Sequence, residues 1–157
     1  MEFGEGNYGN PSLMGTDLCG SYLRGAYLPK LNFEGAKLRE TDLVGVVLSE
    51  SNLIYADLRG ADLTKAILYK SNMKNADLEN VILQEANLKG ANLQETNLKN
   101  CNFYLANITN TNFENAKFDN TVFSLSEYSI IKSIISNSSV KYKIIEDKNK
   151  LIVILDN

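Results

Sequence analysis

Residues 51–83 read SNLIYADLRGADLTKAILYKSNMKNADLENVIL, and in them Leu53, Leu58, Leu63, Leu68, Met73, Leu78 and Leu83 fall five residues apart without a slip. Extended in both directions, every fifth position from Leu13 to Phe123 is large and apolar: sixteen Leu, five Phe, one Met and one Ile. Two residues before each of these centres runs a second lattice, from Pro11 through Thr16, Ser21 and Ala26 to Thr121. In it 21 of 23 members are Ala, Ser, Thr, Cys or Val, and only Pro11 and Leu31 depart. The position just before the centre is Asn or Asp in 14 of 23 cases, so the repeat reads A-[DN]-L-x-x. A period of five matches neither the roughly 3.6 residues of a helical turn nor the roughly 2.0 of a flat strand. The backbone must therefore turn once per repeat. Large and small inward side chains then line a narrow tube whose corners are made by the polar residues, which is the logic of an all-β solenoid.

The number of repeats in one coil is set by the outward positions. Asn precedes the centre at Asn32, Asn52, Asn72, Asn92 and Asn112, five of six places in one 20-residue register, against four of the remaining 17. Stacked Asn side chains form amide ladders. A second register holds Tyr27, Val47 and Ile67, three apolar residues in succession where the consensus has Asn or Asp. Four five-residue repeats per coil is the reading that orders both. These residues resemble the pentapeptide-repeat family over about residues 11–125. The resemblance implies a right-handed quadrilateral β-helix with the centre and the small residue two before it pointing inward. At ~4.8 Å per coil, the repeats make about six coils and a rod of roughly 28 Å.

At the N-terminus, Phe3 and Tyr8 continue the frame backwards, so residues 1–10 read as a degenerate first coil or cap of a 1–125 solenoid. After Phe123 the frame stops, and residues 126–157 read as a cap or dimerisation segment. Ser124 followed by Glu127 matches a capping box, and Leu125, Tyr128, Ile131, Ile134 and Ile135 recur at helical spacing, predicting a short α-helix over about 125–136. A β-hairpin is predicted over about 140–155, with strands at 140–145 and 151–155 around the polar stretch 146–150. Its second strand, Leu151, Ile152, Val153, Ile154 and Leu155, is apolar on both faces and needs a partner. Two arrangements satisfy it: folding over the last coil, or pairing with a second copy in a homodimer. The family resemblance implies association through C-terminal ends.

Composition removes most chemistry. The 157 residues carry 16 Lys plus Arg, 19 Asp plus Glu and no His, a net charge of −3. Without histidine and with two cysteines, Ser-His and Cys-His dyads and nearly all zinc sites are out of reach. Nor does mild acidity suit a direct nucleic-acid binder, which needs clustered cations. No catalytic, cofactor or metal residues are assigned. The repeated Asp17, Asp42, Asp57, Asp62 and Asp77 share one repeat position and read as corner-forming side chains, while glycines such as Gly15, Gly45 and Gly60 read as turn residues. Cys101 falls in the inward lattice and Cys19 faces out, about four coils apart, too far for a disulfide. The N-terminal residues carry no signal-peptide pattern and no apolar run is long enough to span a membrane, so a cytoplasmic protein is expected, and the Asn, Lys and Ile bias points to an AT-rich bacterial genome.

Two functions fit. The first is a non-catalytic protein-interaction scaffold, partner unknown, whose candidate binding stripe is Tyr27, Val47 and Ile67, widened by Tyr69. The second is implied by the resemblance: a DNA-mimicking binder of DNA gyrase or topoisomerase IV, of the quinolone-resistance type, acting through an acidic edge at Asp42, Asp62 and Glu85.

Overall fold

Parallel bridges join residues twenty apart throughout the repeats of the computed structural model, from Ser12↔Asn32 to Asn102↔Val122, so each lap of the solenoid takes four repeats. Residues 11–156 are described; the expected coil at residues 1–10 lies outside them. A turn closes every repeat. The amide of the small residue bonds back to the carbonyl of the preceding centre, as from Ala56 to Leu53 at 3.0 Å. The bridges leave one isolated residue pair per side rather than long strands, because the chain turns again after three residues.

The Asn/Asp preference has a backbone cause. In the repeat 51–55, Ser51 N–H donates to Leu48 in the turn, Asn52 N–H to Leu31 of the previous lap, and the Leu53 and Tyr55 N–H groups to Asn72 and Lys74 of the next. That leaves Ile54 N–H, which donates to Asn52 Oδ1 at 3.2 Å. All fourteen Asn and Asp residues at this position accept the N–H two residues on in the same way. An Asx turn thus completes the hydrogen bonding of the repeat. The amide ladder is partial: Asn52 donates to Asn32 and Asn92 to Asn72, while a second ladder, Asn120 to Asn100 to Asn80, runs along a corner not anticipated from the consensus.

Every fifth residue from Gly15 to Gly90 and on to Asn120 is left-handed at the corner, with φ between +53° and +71°. Only seven of these are glycine; Lys30, Tyr55, Lys65 and Leu105 are among those held there with a Cβ. Left-handed backbone disfavours a side chain by about 1–2 kcal/mol, so the surrounding laps impose it. At Gly45 an added Cβ would meet nothing within 4 Å. Gly45→Ala therefore isolates the backbone term and is expected to lower stability by about 1 kcal/mol in a denaturant titration.

Both inward lattices are buried from the second lap on, Thr111 partly so, while Leu13, Leu18, Leu23 and Leu28 of the first lap are partly buried. Leu53, Leu58, Leu63, Leu68, Met73 and Leu78 are fully enclosed, with Ala56, Ala61 and Ala66 between them. Inward hydroxyls are satisfied by centre carbonyls: Thr41 donates to Leu18, Ser51 to Leu28 and Thr121 to Leu98, at 2.8–3.0 Å. Cys101 does the same, its Sγ 2.9 Å from the Leu78 carbonyl, and burial pushes its thiol pKa well up. Cys19 is exposed and both cysteines are free.

The C-terminal segment closes the tube. Strand β1 (Thr121–Ser124) ends the last lap; a 3-10 turn (Leu125–Glu127) leads to α1 (Tyr128–Ser136), then β2 (Tyr142–Asp147) and β3 (Lys150–Leu155). Three expectations are corrected. No capping box forms, because the Ser124 hydroxyl is taken by the Leu105 N–H of the preceding lap at 2.7 Å. The helix proper begins at Tyr128, after the 3-10 turn. The hairpin turn is two residues, Lys148 and Asn149, with Lys148 at φ +54°, rather than the polar five, since Asp147 pairs with Lys150. The sheet order is β1-β3-β2, all antiparallel, so the apolar strand is central and folds over the last coil. Phe103 and Phe123 stack at 5.0 Å on the axis, and Tyr142 seats on the plug edge-on to Phe118, its hydroxyl accepting the Phe118 N–H at 3.2 Å. Among the described residues no helix is long and apolar enough to cross a membrane.

Candidate functional site

The solenoid presents four sides, each a row of side chains repeated lap by lap. Tyr27, Val47 and Ile67 are successive members of one row, bridged Tyr27↔Val47 and Val47↔Ile67, and so are spaced by about 4.8 Å. Tyr27 is 70% exposed and Ile67 40%, with Val47 between them partly covered. Tyr69 lies beside Ile67, with Lys70 Nζ 5.2 Å from its ring centroid. The structure thus brings the four stripe residues together. The same side carries Lys30, Glu50, Lys70 and Lys89, a net positive charge legible in the 20-residue register.

The residues of the acidic edge also share a side, with Asp42 and Asp62 bridged and Glu85 at a corner of the same side. Cations sit on two of them. Arg24 Nε is 3.0 Å from Asp42 and Lys65 Nζ 3.5 Å from Glu85. Asp62 Oδ1 accepts from both the amide and the hydroxyl of Thr64. The strand residues fare differently again. Leu151 and Val153 are fully buried and Ile152, Ile154 and Leu155 partly so, with both hydrogen-bonding edges of β3 occupied by β1 and β2.

A third side carries an ion-pair stack. Arg39 lies 2.7 Å from Asp57, Arg59 binds both Asp57 oxygens at 2.8 Å, and Arg59 reaches Asp77 at 3.6 Å. The Arg59 hydrogen bonds hold Asp57 below the ordinary carboxylate pKa against the opposing effect of partial burial, and Arg39 adds to the lowering. The folded chain thus binds this proton more weakly than the unfolded one. Asp57 stabilises the fold fully above its unfolded pKa of about 4, and that contribution is lost as pH falls through the lower folded value. Asp57→Asn keeps the Asx acceptor but not the charge. Thermal melts between pH 6 and pH 2.5 are expected to show a shallower acid limb for the variant; superimposable limbs would contradict the assignment. Among the described residues no group of three or more Cys, Asp or Glu side chains could hold a metal ion.

The model of the pentapeptide repeats matches eight copies in this chain, over residues 12–45, 41–80 and 86–124. The chain belongs to the pentapeptide-repeat family. Solved pentapeptide-repeat structures are similar to it. One is HetL, a pentapeptide repeat protein involved in heterocyst differentiation regulation from the cyanobacterium Nostoc sp. strain PCC 7120; it is 32% identical over 70% of this chain and 54% of that one, with a TM-score of 0.38. Another is a pentapeptide repeat protein from the Arabidopsis thaliana thylakoid lumen, 29% identical over 69% of this chain and 65% of that one, with a TM-score of 0.50. The chain therefore spans less than two thirds of the length of either. The plasmid-mediated fluoroquinolone resistance protein QnrB1, in its full-length form, is 15% identical with a TM-score of 0.26, a likeness too remote to bear on partners. No curated protein matches the chain. Membership of the pentapeptide-repeat family carries with it the β-helix solenoid, in a family whose members are generally non-catalytic scaffolds.

Proposed function

We propose that this pentapeptide-repeat protein is a non-catalytic interaction scaffold, a right-handed quadrilateral coil over residues 1–125 capped by 126–157, that binds a protein partner in the cytoplasm through Tyr27, Val47, Ile67 and Tyr69. The observation carrying this reading is the exposed row of three successive apolar residues in a fold that fills the same position with Asn or Asp in 14 of 23 repeats. Those polar residues complete the backbone hydrogen bonding, so Val47 and Ile67 serve the solenoid less well than the consensus would, and an exposed apolar row marks an association site. The acidic edge argues less well for DNA mimicry, because Arg24 and Lys65 neutralise Asp42 and Glu85. Self-association through β3 is disfavoured because β1 and β2 flank it on both sides, leaving the outer edge of β2 as the open edge of that sheet among the described residues.

Val47→Glu tests the scaffold reading. A charged residue in the middle of the row is expected to remove the specifically captured partner in a pulldown while leaving the melting profile intact. An unchanged partner set retires the stripe. A gyrase supercoiling assay with ciprofloxacin, run on the same preparations, is expected to show neither inhibition nor protection; either effect would restore mimicry.

A further inference from the structure

We propose that the Tyr27-Val47-Ile67 side accepts an acidic segment with an apolar centre from another protein; the inference rests on the scaffold reading and specifies the chemistry of its partner. Three observations meet on this side. The first is the apolar row itself, about two strand spacings long from Tyr27 to Ile67.

The second is the charge around it. The side, residues 26–30 and their equivalents in later laps, carries Lys30, Lys70 and Lys89 against Glu50, a net of +2 in a molecule of net charge −3. On the other three sides most cations are paired: Arg24 with Asp42, Lys37 with Asp17, Arg39 and Arg59 with Asp57, Lys65 with Glu85, and Lys74 with Glu95, while Lys99 and Lys117 are in no ion pair among the described residues and have no apolar row beside them. Among the described residues no ion pair falls on the Tyr27 side. Its three lysines flank apolar side chains and outnumber Glu50, and none of them is in an ion pair among the described residues.

The third is the backbone. Where Val47 and Ile67 replace the Asx residue, the N–H groups of Ser49 and Tyr69 have no hydrogen-bond partner among the described residues, and in the first lap the equivalent residue is Pro29, which has no N–H. Single gaps of this kind follow Tyr22, Lys37, Ile82 and Lys117, but only here do two donors in successive laps stand beside an apolar row. Carboxylate or backbone oxygens from an acidic segment match both the lysines and these donors, while its aliphatic side chains cover Val47 and Ile67. A basic or uncharged segment matches neither the lysines nor the side's net charge.

Fluorescence anisotropy on the full chain tests this with labelled dodecapeptides as probes. One alternates Glu and Asp with Leu and Ile; a second has Gln for every acid, a third Lys for every acid, and a single-stranded oligonucleotide of twelve thymidines serves as a polyanion without apolar side chains. The acidic-apolar peptide is expected to bind, to weaken about tenfold or more in Lys30→Gln/Lys70→Gln/Lys89→Gln, and to weaken similarly in Val47→Asn/Ile67→Asn. The latter pair restores the fold's own consensus, and its unchanged or raised melting midpoint keeps misfolding out of the result. If the Gln peptide binds as well as the acidic one and is lost in Val47→Asn/Ile67→Asn, the acidic chemistry is overturned and the stripe stands. If no peptide binds, if the Lys peptide or oligonucleotide binds as well as the acidic peptide, or if binding ignores the lysine triple variant, the acidic-partner inference is overturned. A bound acidic peptide indifferent to Val47→Asn/Ile67→Asn overturns the stripe as well.

Discussion

Leu63→Asp is expected to abolish cooperative folding of the central laps. Leu63 is fully enclosed, with Leu43 and Leu83 at the equivalent places in the laps on either side and Ala61 and Ala66 flanking it in the small lattice. A carboxylate there has no hydrogen-bond donor to meet, and burying it, or neutralising it to avoid the charge, is worth about 4 kcal/mol or more against folding. Each lap is stabilised mainly by its neighbours, so the loss spreads along the axis and does not stay in one repeat. Circular dichroism is expected to show a large fall in the melting midpoint or no folded baseline. Leu63→Ala, which leaves a cavity without a charge, falls between at about 2–5 kcal/mol. A wild-type midpoint for Leu63→Asp would mean that the side chain is not inside.

Phe123→Ala is expected to cost about 3–5 kcal/mol and to loosen the cap from the tube. Phe123 joins the two parts. Its ring stacks on Phe103 one lap below at 5.0 Å and touches Phe113 and Phe118 at 6.2 and 6.1 Å between centroids, while its backbone pairs with Leu151 of β3. Ile131, Leu151 and Val153 of the cap belong to the same buried cluster as Phe123, so removing the ring opens a void in the core that joins cap and coil. Limited proteolysis is expected to cut between α1 and β2, or at the Lys148-Asn149 turn, before the solenoid is attacked. Simultaneous loss of both parts would show that cap and coil melt as one unit.

Much of this was readable because the tube repeats its demands. A buried position recurring every five residues leaves a Leu or Phe each time, and a small one two before it, so errors average out along 23 repeats. The 20-residue lap was readable for the same reason, since residues such as Asn32 and Asn52, or Asp42 and Asp62, lie directly against one another. The stripe followed from that register. So did the net positive charge of its side, but not that Lys30, Lys70 and Lys89 stand outside the ion pairs, since pairing depends on where side chains of neighbouring laps meet.

The cap was less legible. Leu151, Ile152, Val153, Ile154 and Leu155 declared a need for partners on both faces without saying which, and the choice between the last coil and a second copy depends on where the chain can reach after α1. Ser124 shows the limit in one residue. Its spacing to Glu127 suits a helix cap, yet the Leu105 N–H one lap below competes for the same hydroxyl and holds it.

Local chemistry is enough to specify the turn in each repeat, the inward lattices and the length of a lap, because each is a short-range requirement written many times over. Tertiary packing decided the rest: left-handed corners at Lys30, Tyr55 and Leu105, whose side chains prefer other backbone, the ion pairs that quiet the acidic edge, and the central place of β3. Each of these depends on which groups far apart in the chain come within a few ångströms, and no residue carries that information alone.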